Sequence, residues 1–360
     1  IIEERPEKNL LDIWKDLEEG KKPFYPPITI GRQEDTEDKS KSLPISDNKE
    51  EKFASQILNI LNPLKLENPF APVISISSKY GTGFMPAGFG VEISLNPDYP
   101  GGVKAPLSIE ELEKLYVPDP EKEERFQEIK ENIDFCLNNT PDIFKLSLPD
   151  LQGPFNIAYA ITGEKIFFLM KDNPDLVHLI MKKVTEYYIK VYKTFQKWIP
   201  TNRWVPFIGI KKRIAECAAN LISKNTYVEF VAPYDRELVK FWNNEVAIHT
   251  CSGPHIFEIT LEQLPGVRFT ECGIIPKAFA GYLIVEQALE KIKGKKIILS
   301  VGEELEKGKE EETIKRHIRF LSEHPLMIFG YTGMYWKKKD DEFIKKLHRE
   351  IDKYYFSFSY

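Results

Sequence analysis

From Pro69 to the C-terminus, short apolar runs alternate with longer segments whose apolar residues recur at helical spacing. Strand-like runs fall at 73–76, 143–148, 204–210, 246–249, 267–270, 297–301 and 326–329. Helical periodicity occupies 122–137, 173–199, 225–242, 256–264, 278–292, 310–321 and 342–354, and Leu176, Leu179, Ile180, Val184 and Tyr188 form one apolar stripe in the longest. Repeated strand-then-helix order demands parallel pairing, because each return to the sheet needs a crossover. Seven such strands, with an eighth accommodated in the glycine-rich stretch 84–95, predict an α/β fold: a (β/α)8 TIM barrel with an N-terminal helical extension. An open doubly wound sheet would usually carry a glycine-rich phosphate loop after its first strand, and neither G-x-G-x-x-G nor a P-loop occurs.

Residues 1–66 read as the helical extension and a loop, and 67–360 as the barrel. Within the extension, 10–17 and 53–61 have helical spacing on either side of a polar stretch at 33–52. Ser108 and Glu111 have the spacing of a capping box at the start of a helix over 109–116. A net charge of −5 argues against nucleic acid as a main partner, since phosphate binding needs a basic face. No run approaches the ~18 apolar residues of a spanning helix, so no membrane is expected. Four cysteines in 360 residues do not make a disulfide framework; they point to the cytoplasm, where reduced thiols can act as ligands.

His249-Thr250-Cys251 closes the apolar run Val246-Ala247-Ile248. Strand alternation turns the imidazole and the thiol to one side, where both can grip a metal ion, with zinc the usual occupant. Cys272, at the end of the next strand candidate, or Cys217, after the 204–210 run, offers a third ligand, whereas Cys136 reads as a core residue of its helix. Asp150 and Gln152 precede the helix start Gly153-Pro154-Phe155 at a strand's carboxyl end, the face where a barrel carries out chemistry. Two roles are open there: positioning a substrate, or capping the free amides of the helix. Gly88, in Gly88-Phe89-Gly90, belongs to a candidate flap over a ligand, and Tyr331 is a candidate lining residue of an apolar cavity.

Several of these segments, in order over 69–355, resemble the uroporphyrinogen decarboxylase superfamily. Leu148-Pro149-Asp150-Leu151-Gln152-Gly153-Pro154-Phe155, followed by Asn173-Pro174-Asp175, is similar to the stretch in which Gly-Pro-Phe opens a helix. Ser223, Phe230-Val231 and Pro233-Tyr234 resemble the segment ending in Phe-Val-x-Pro-Tyr, and His249-Thr250-Cys251 the His-x-Cys that follows it. Leu299-Ser300-Val301-Gly302 and Phe329-Gly330-Tyr331 resemble the last two strand ends. The resemblance implies a TIM barrel. True decarboxylases carry an arginine-rich signature with a Gln-Ala-Gly-Arg core; here only Gly31-Arg32-Gln33 stands near the start.

The His-x-Cys pair instead resembles the corrinoid-dependent zinc methyltransferase branch. That branch's distant cysteine is absent, and Gly330-Tyr331-Thr332-Gly333 stands in its place. The resemblance implies zinc, a corrinoid of methylcobalamin type as substrate or on a partner corrinoid protein, and a small thiol acceptor. The expected activity is methyl transfer between corrinoid and thiol. Two alternatives stay open: a uroporphyrinogen decarboxylase-like lyase acting on a tetrapyrrole or other carboxylated substrate, with Asp150 stabilising charge, and a non-catalytic corrinoid-binding barrel.

Overall fold

The strand registers that the structure defines are all parallel, as the strand-then-helix order demands. This computed structural model describes residues 9–19, 21, 25–26, 28–32, 49–65, 67, 70–76, 78–95, 101–205, 212–244, 246–250, 262–265, 267, 269–274, 297–304, 308–323, 327–336 and 341–357. The helices expected at 256–264 and 278–292 lie largely or wholly outside them. Contacts group the chain into two units: Ile1–Val73 with Phe269–Tyr360, and Ile74–Arg268.

The chain opens in the first unit with α1 (Leu10–Glu18), β1 (Ile28–Arg32) and α2 (Lys49–Lys65). β1 corrects the sequence reading, which expects only helices and a loop before residue 66. Pro26 and Pro27 give the segment the look of a loop, yet Ile28 is buried, and prolines are tolerated at a strand's start.

The second unit follows with β2 (Val73–Ser75), α3 (Ile109–Glu113), α4 (Glu124–Asn139), β3 (Lys145–Ser147), α5 (Pro154–Thr162), α6 (Lys165–Asp172) and α7 (Pro174–Trp198). It continues with β4 (Trp204–Val205), β5 (Lys212–Ala215), α8 (Lys224–Phe230), α9 (Ala232–Phe241) and β6 (Val246–Thr250). β2, β3 and β4 form a small sheet in that order, and β5 pairs with β6. The capping box is present: Glu111 N donates to Ser108 Oγ at 3.3 Å and Ser108 N to Glu111 Oε2 at 2.7 Å.

Three sequence expectations change here. The stretch 84–95 contributes no strand; it makes a 3-10 turn at Pro86–Phe89 and an antiparallel bridge from Ile93 to Val103. Gly90 turns the chain at a φ of +90°, a conformation that glycine adopts without strain. The extra strand is β5, hidden in the sequence because it begins with Lys212-Arg213. The helix expected over 225–242 breaks at Val231, because Pro233 lacks an N–H and its ring would meet the carbonyl of Glu229.

The chain then returns to the first unit with β7 (Phe269–Ile274), β8 (Ile297–Glu304), α10 (Glu310–Glu323), β9 (Met327–Trp336) and α11 (Asp341–Ser357). Its sheet runs β1-β9-β8-β7. Between β8 and β9 the register slips by one residue, with Leu299 opposite Phe329 and Ser300 opposite Tyr331. Arg349 donates to both oxygens of Glu67, tying α11 to the end of the N-terminal segment.

The core of the second unit is α7, which packs against α5, α6 and α9. Leu176, Ile180, Val184 and Tyr188 are buried as the stripe predicts, and Met181, Tyr187, Val191 and Tyr192 widen it. A helix buried this broadly is held by tertiary packing more than by intrinsic propensity. Ile180→Ala is expected to cost about 2–5 kcal/mol, read as a lower urea midpoint at unchanged m-value. A loss below about 1 kcal/mol would mean that Ile180 fills no tight site.

Candidate active site

The carboxyl end of β3 runs through Asp150 and Gln152 into α5, and the first turn of α5 needs partners for its free amides. Neither sequence candidate supplies them. Phe155 N and Asn156 N donate to the two oxygens of Glu216, at 3.0 and 3.2 Å, so the cap comes from a residue some sixty positions later. Asp150 instead accepts from Arg213 Nη1 at 3.0 Å, which overturns its capping role. Gly153 makes room for this joint, because a Cβ there would collide with Glu216 Oε1 and lie 2.6 Å from Ala215 O.

Glu216 is fully buried beside a second buried carboxyl, Asp235, which accepts from Tyr227 Oη at 2.7 Å. Burial pushes Glu216 well above the carboxylate range, and the neighbouring Asp235 charge pushes it further. Burial also raises Asp235, to about 7, against the lowering effect of the Tyr227 hydroxyl. Two desolvated carboxylates side by side cannot both ionise, so the pair keeps a proton at neutral pH.

Beside this joint opens a cleft of about 920 Å³, whose walls include Thr82, Gln152, Asn156, Tyr159, Lys165 and Cys217. Gln152 and Cys217 are thereby brought to one cavity. Asn156 joins Gln152 to the residue after Cys217: its Nδ2 donates to Gln152 Oε1 at 2.7 Å, and its Oδ1 accepts from Ala218 N at 2.7 Å. His249 is half-buried in β6, in register with Ala215, and its carbonyl accepts from Glu216 N at 2.9 Å. Cys217 follows one residue later, so His249 and Cys217 stand at the carboxyl ends of neighbouring strands.

Cys251 lies outside the described residues. Cys272 is in β7 and Tyr331 in β9, both in the other unit, and their side chains also lie outside. Gly88 is buried, and a Cβ there would come within 3 Å of Tyr187 Oη and Arg125 Nη2, so glycine permits the close packing. Among the described residues, no group of three or more His, Cys, Asp or Glu side chains is arranged to hold a metal. The imidazole-and-thiol donor set nevertheless suits zinc. No helix among the described residues is long and apolar enough to cross a membrane.

Residues 82–269, just over half of the chain, match the family model described as Uroporphyrinogen decarboxylase (URO-D). The chain belongs to the uroporphyrinogen decarboxylase family. Within that family, the matched segment carries the cleft, the Glu216–Asp235 pair and the His249-x-Cys251 pair, whereas Cys272 and Tyr331 lie beyond it. A methyltransferase from Methanosarcina mazei has a similar structure, with a TM-score of 0.64 at 15% identity over 96% of this chain and 99% of that one. A search of the curated proteins finds no match.

Sequence reasoning missed Asn156, Glu216 and Asp235. A signal existed for two of them: Asn156 interrupts an otherwise apolar helix, and Asp235 stands on the buried stripe formed with Leu238 and Val239. Gly153→Ala should therefore destabilise the protein, by about 1–3 kcal/mol in chemical denaturation. An unchanged midpoint would show that the joint has slack.

The buried pair also sets a pH dependence. Above pH ~4 both members of the native pair hold protons that the unfolded carboxyls have released. Stability is thus fully present below that pH, falls as pH rises towards about 7, where Asp235 ionises, and falls on above it while Glu216 keeps its proton. The slope should reach at most about 2.7 kcal/mol per pH unit while both native carboxyls keep their protons, and about 1.4 while only one does. Urea titrations between pH 4 and 7 should show this slope, and Asp235→Asn should roughly halve it, because burial still raises Glu216; equal slopes in both proteins would refute a retained proton on Asp235.

Proposed function

We propose that this chain is a zinc-dependent methyltransferase that moves a methyl group between a corrinoid and a small thiol acceptor, on the (β/α)8 barrel that the family implies. The corrinoid is either a free substrate or carried by a partner corrinoid protein, in the cytoplasm. The observation that carries this reading is the cleft, which lies inside the family-matched segment with Gln152, Asn156 and Cys217 on its wall. His249 at the neighbouring strand end supports it, as does the similarity to the Methanosarcina mazei methyltransferase over nearly the whole chain.

His249 and Cys251, with Cys217 or Cys272 as the third donor, would hold the zinc. Zinc bound there supplies a Lewis acid that lowers the pKa of an acceptor thiol. Gln152 and Asn156 orient the acceptor, and the Asp150–Arg213 pair keeps the rim of the cleft in place. Tyr331 and the segment around Gly88 are assigned to the corrinoid side. Lys165 is the one Lys or Arg among the described lining residues, which speaks against a polycarboxylated tetrapyrrole and so against the lyase reading.

Metal analysis and methyl transfer from methylcobalamin to a thiol test the proposal together. The purified chain is expected to carry about one zinc, and His249→Ala and Cys251→Ser to lose most of the metal and at least ~100-fold in rate. Metal-independent release of carbon dioxide from a carboxylated substrate, with no methyl transfer, would replace this reading with the lyase.

A further inference from the structure

The direction of one amide in the cleft is set by the backbone. A backbone N–H can only donate, and Ala218 N lies 2.7 Å from the Asn156 side chain, so the atom it meets is Oδ1. The other arm of Asn156 is therefore the NH2 group. It lies 2.7 Å from Gln152, whose facing atom must be Oε1. A flipped Gln152 would set NH2 against NH2 and lose that hydrogen bond.

Gln152 is thus left with its own NH2 group on the opposite arm. Among the described residues this group has no protein partner, and half-buried Gln152 lines the cleft. Glu216 holds the relay still by accepting from Phe155 N and Asn156 N at the start of α5. On the same wall, Lys165 spends one of its N–H groups on Leu107 O at 2.7 Å.

We infer that Gln152 reads the ligand through a donor aimed by Asn156, so the molecule bound here presents an oxygen acceptor, as an amide carbonyl or a carboxylate does. Asn156 is then a specificity-determining residue that acts through Gln152. The inference rests on the reading of this cleft as the acceptor-thiol site.

Ligand-detected NMR of the full chain, without turnover, can compare 3-mercaptopropionamide, 3-mercaptopropionate and propane-1-thiol. The two acceptor-bearing thiols are expected to bind about 3- to 10-fold more tightly than propane-1-thiol. Gln152→Leu should erase the advantage of the amide over propane-1-thiol. Asn156→Asp turns the atom facing Gln152 into an acceptor, so Gln152 flips to present its oxygen, and the gain of the acceptor-only carboxylate should fall while the amide can still donate through its NH2 group. An equal gain for amide and carboxylate assigns the hydrogen bond alone, and a larger gain for the carboxylate adds the Lys165 charge; both support the inference. Equal binding of all three thiols, or an advantage of the amide that survives Gln152→Leu, overturns it. Discrimination without any methyl transfer from methylcobalamin would sink the methyltransferase reading and leave this one standing. Methyl transfer without discrimination would do the reverse.

Discussion

Glu216 lies where three requirements meet. The first turn of α5 must satisfy amides that have no helical partner, the end of β5 must turn without colliding with Gly153, and a buried acid must be neutralised. One carboxyl meets all three by accepting from Phe155 N and Asn156 N while keeping a proton beside Asp235. The geometry of the cleft follows, because Asn156 and Gln152 stand on either side of the capped helix start. Remove the carboxyl, and the helix that carries Asn156 loses its fixed starting point.

A cost accompanies this arrangement. A buried acid pair does not stabilise as an apolar pair of the same volume would, and its retained proton makes stability fall towards neutral pH. What it secures is position. The Tyr227 hydroxyl on Asp235, the Glu216 cap and the Asn156–Ala218 hydrogen bond link α8, α9, α5 and the turn after β5. The cleft wall is therefore set by hydrogen bonds of defined direction, which suits a site that must present a donor at one point.

Much of the layout was legible from periodicity. The stripe through Leu176, Ile180, Val184 and Tyr188 belongs to a long buried helix, and the Ser108–Glu111 spacing to a working capping box. β5 was not legible, because Lys212 and Arg213 begin it, and strands with charged ends do not stand out by hydrophobicity. β1 was masked by its prolines. Of the site, Gln152 and Cys217 were found because they follow strand candidates. Asn156, Glu216 and Asp235 were not, since their partners lie far away in the chain and a single sequence does not encode which distant group will meet which.

Local chemistry along the chain determined the α/β class, the strand-then-helix order, the helix starts at Ser108 and Asn173, and the break at Pro233. These depend on propensity, period and missing donors, all of which act over a few residues. Only the tertiary structure decided that Glu216 rather than Asp150 caps α5, that Asp150 pairs with Arg213, and that Asn156 turns Gln152. Those choices are made by distance and direction between groups some sixty residues apart. Hydrogen bonds discriminate by angstroms, and that scale exists only once the chain has folded.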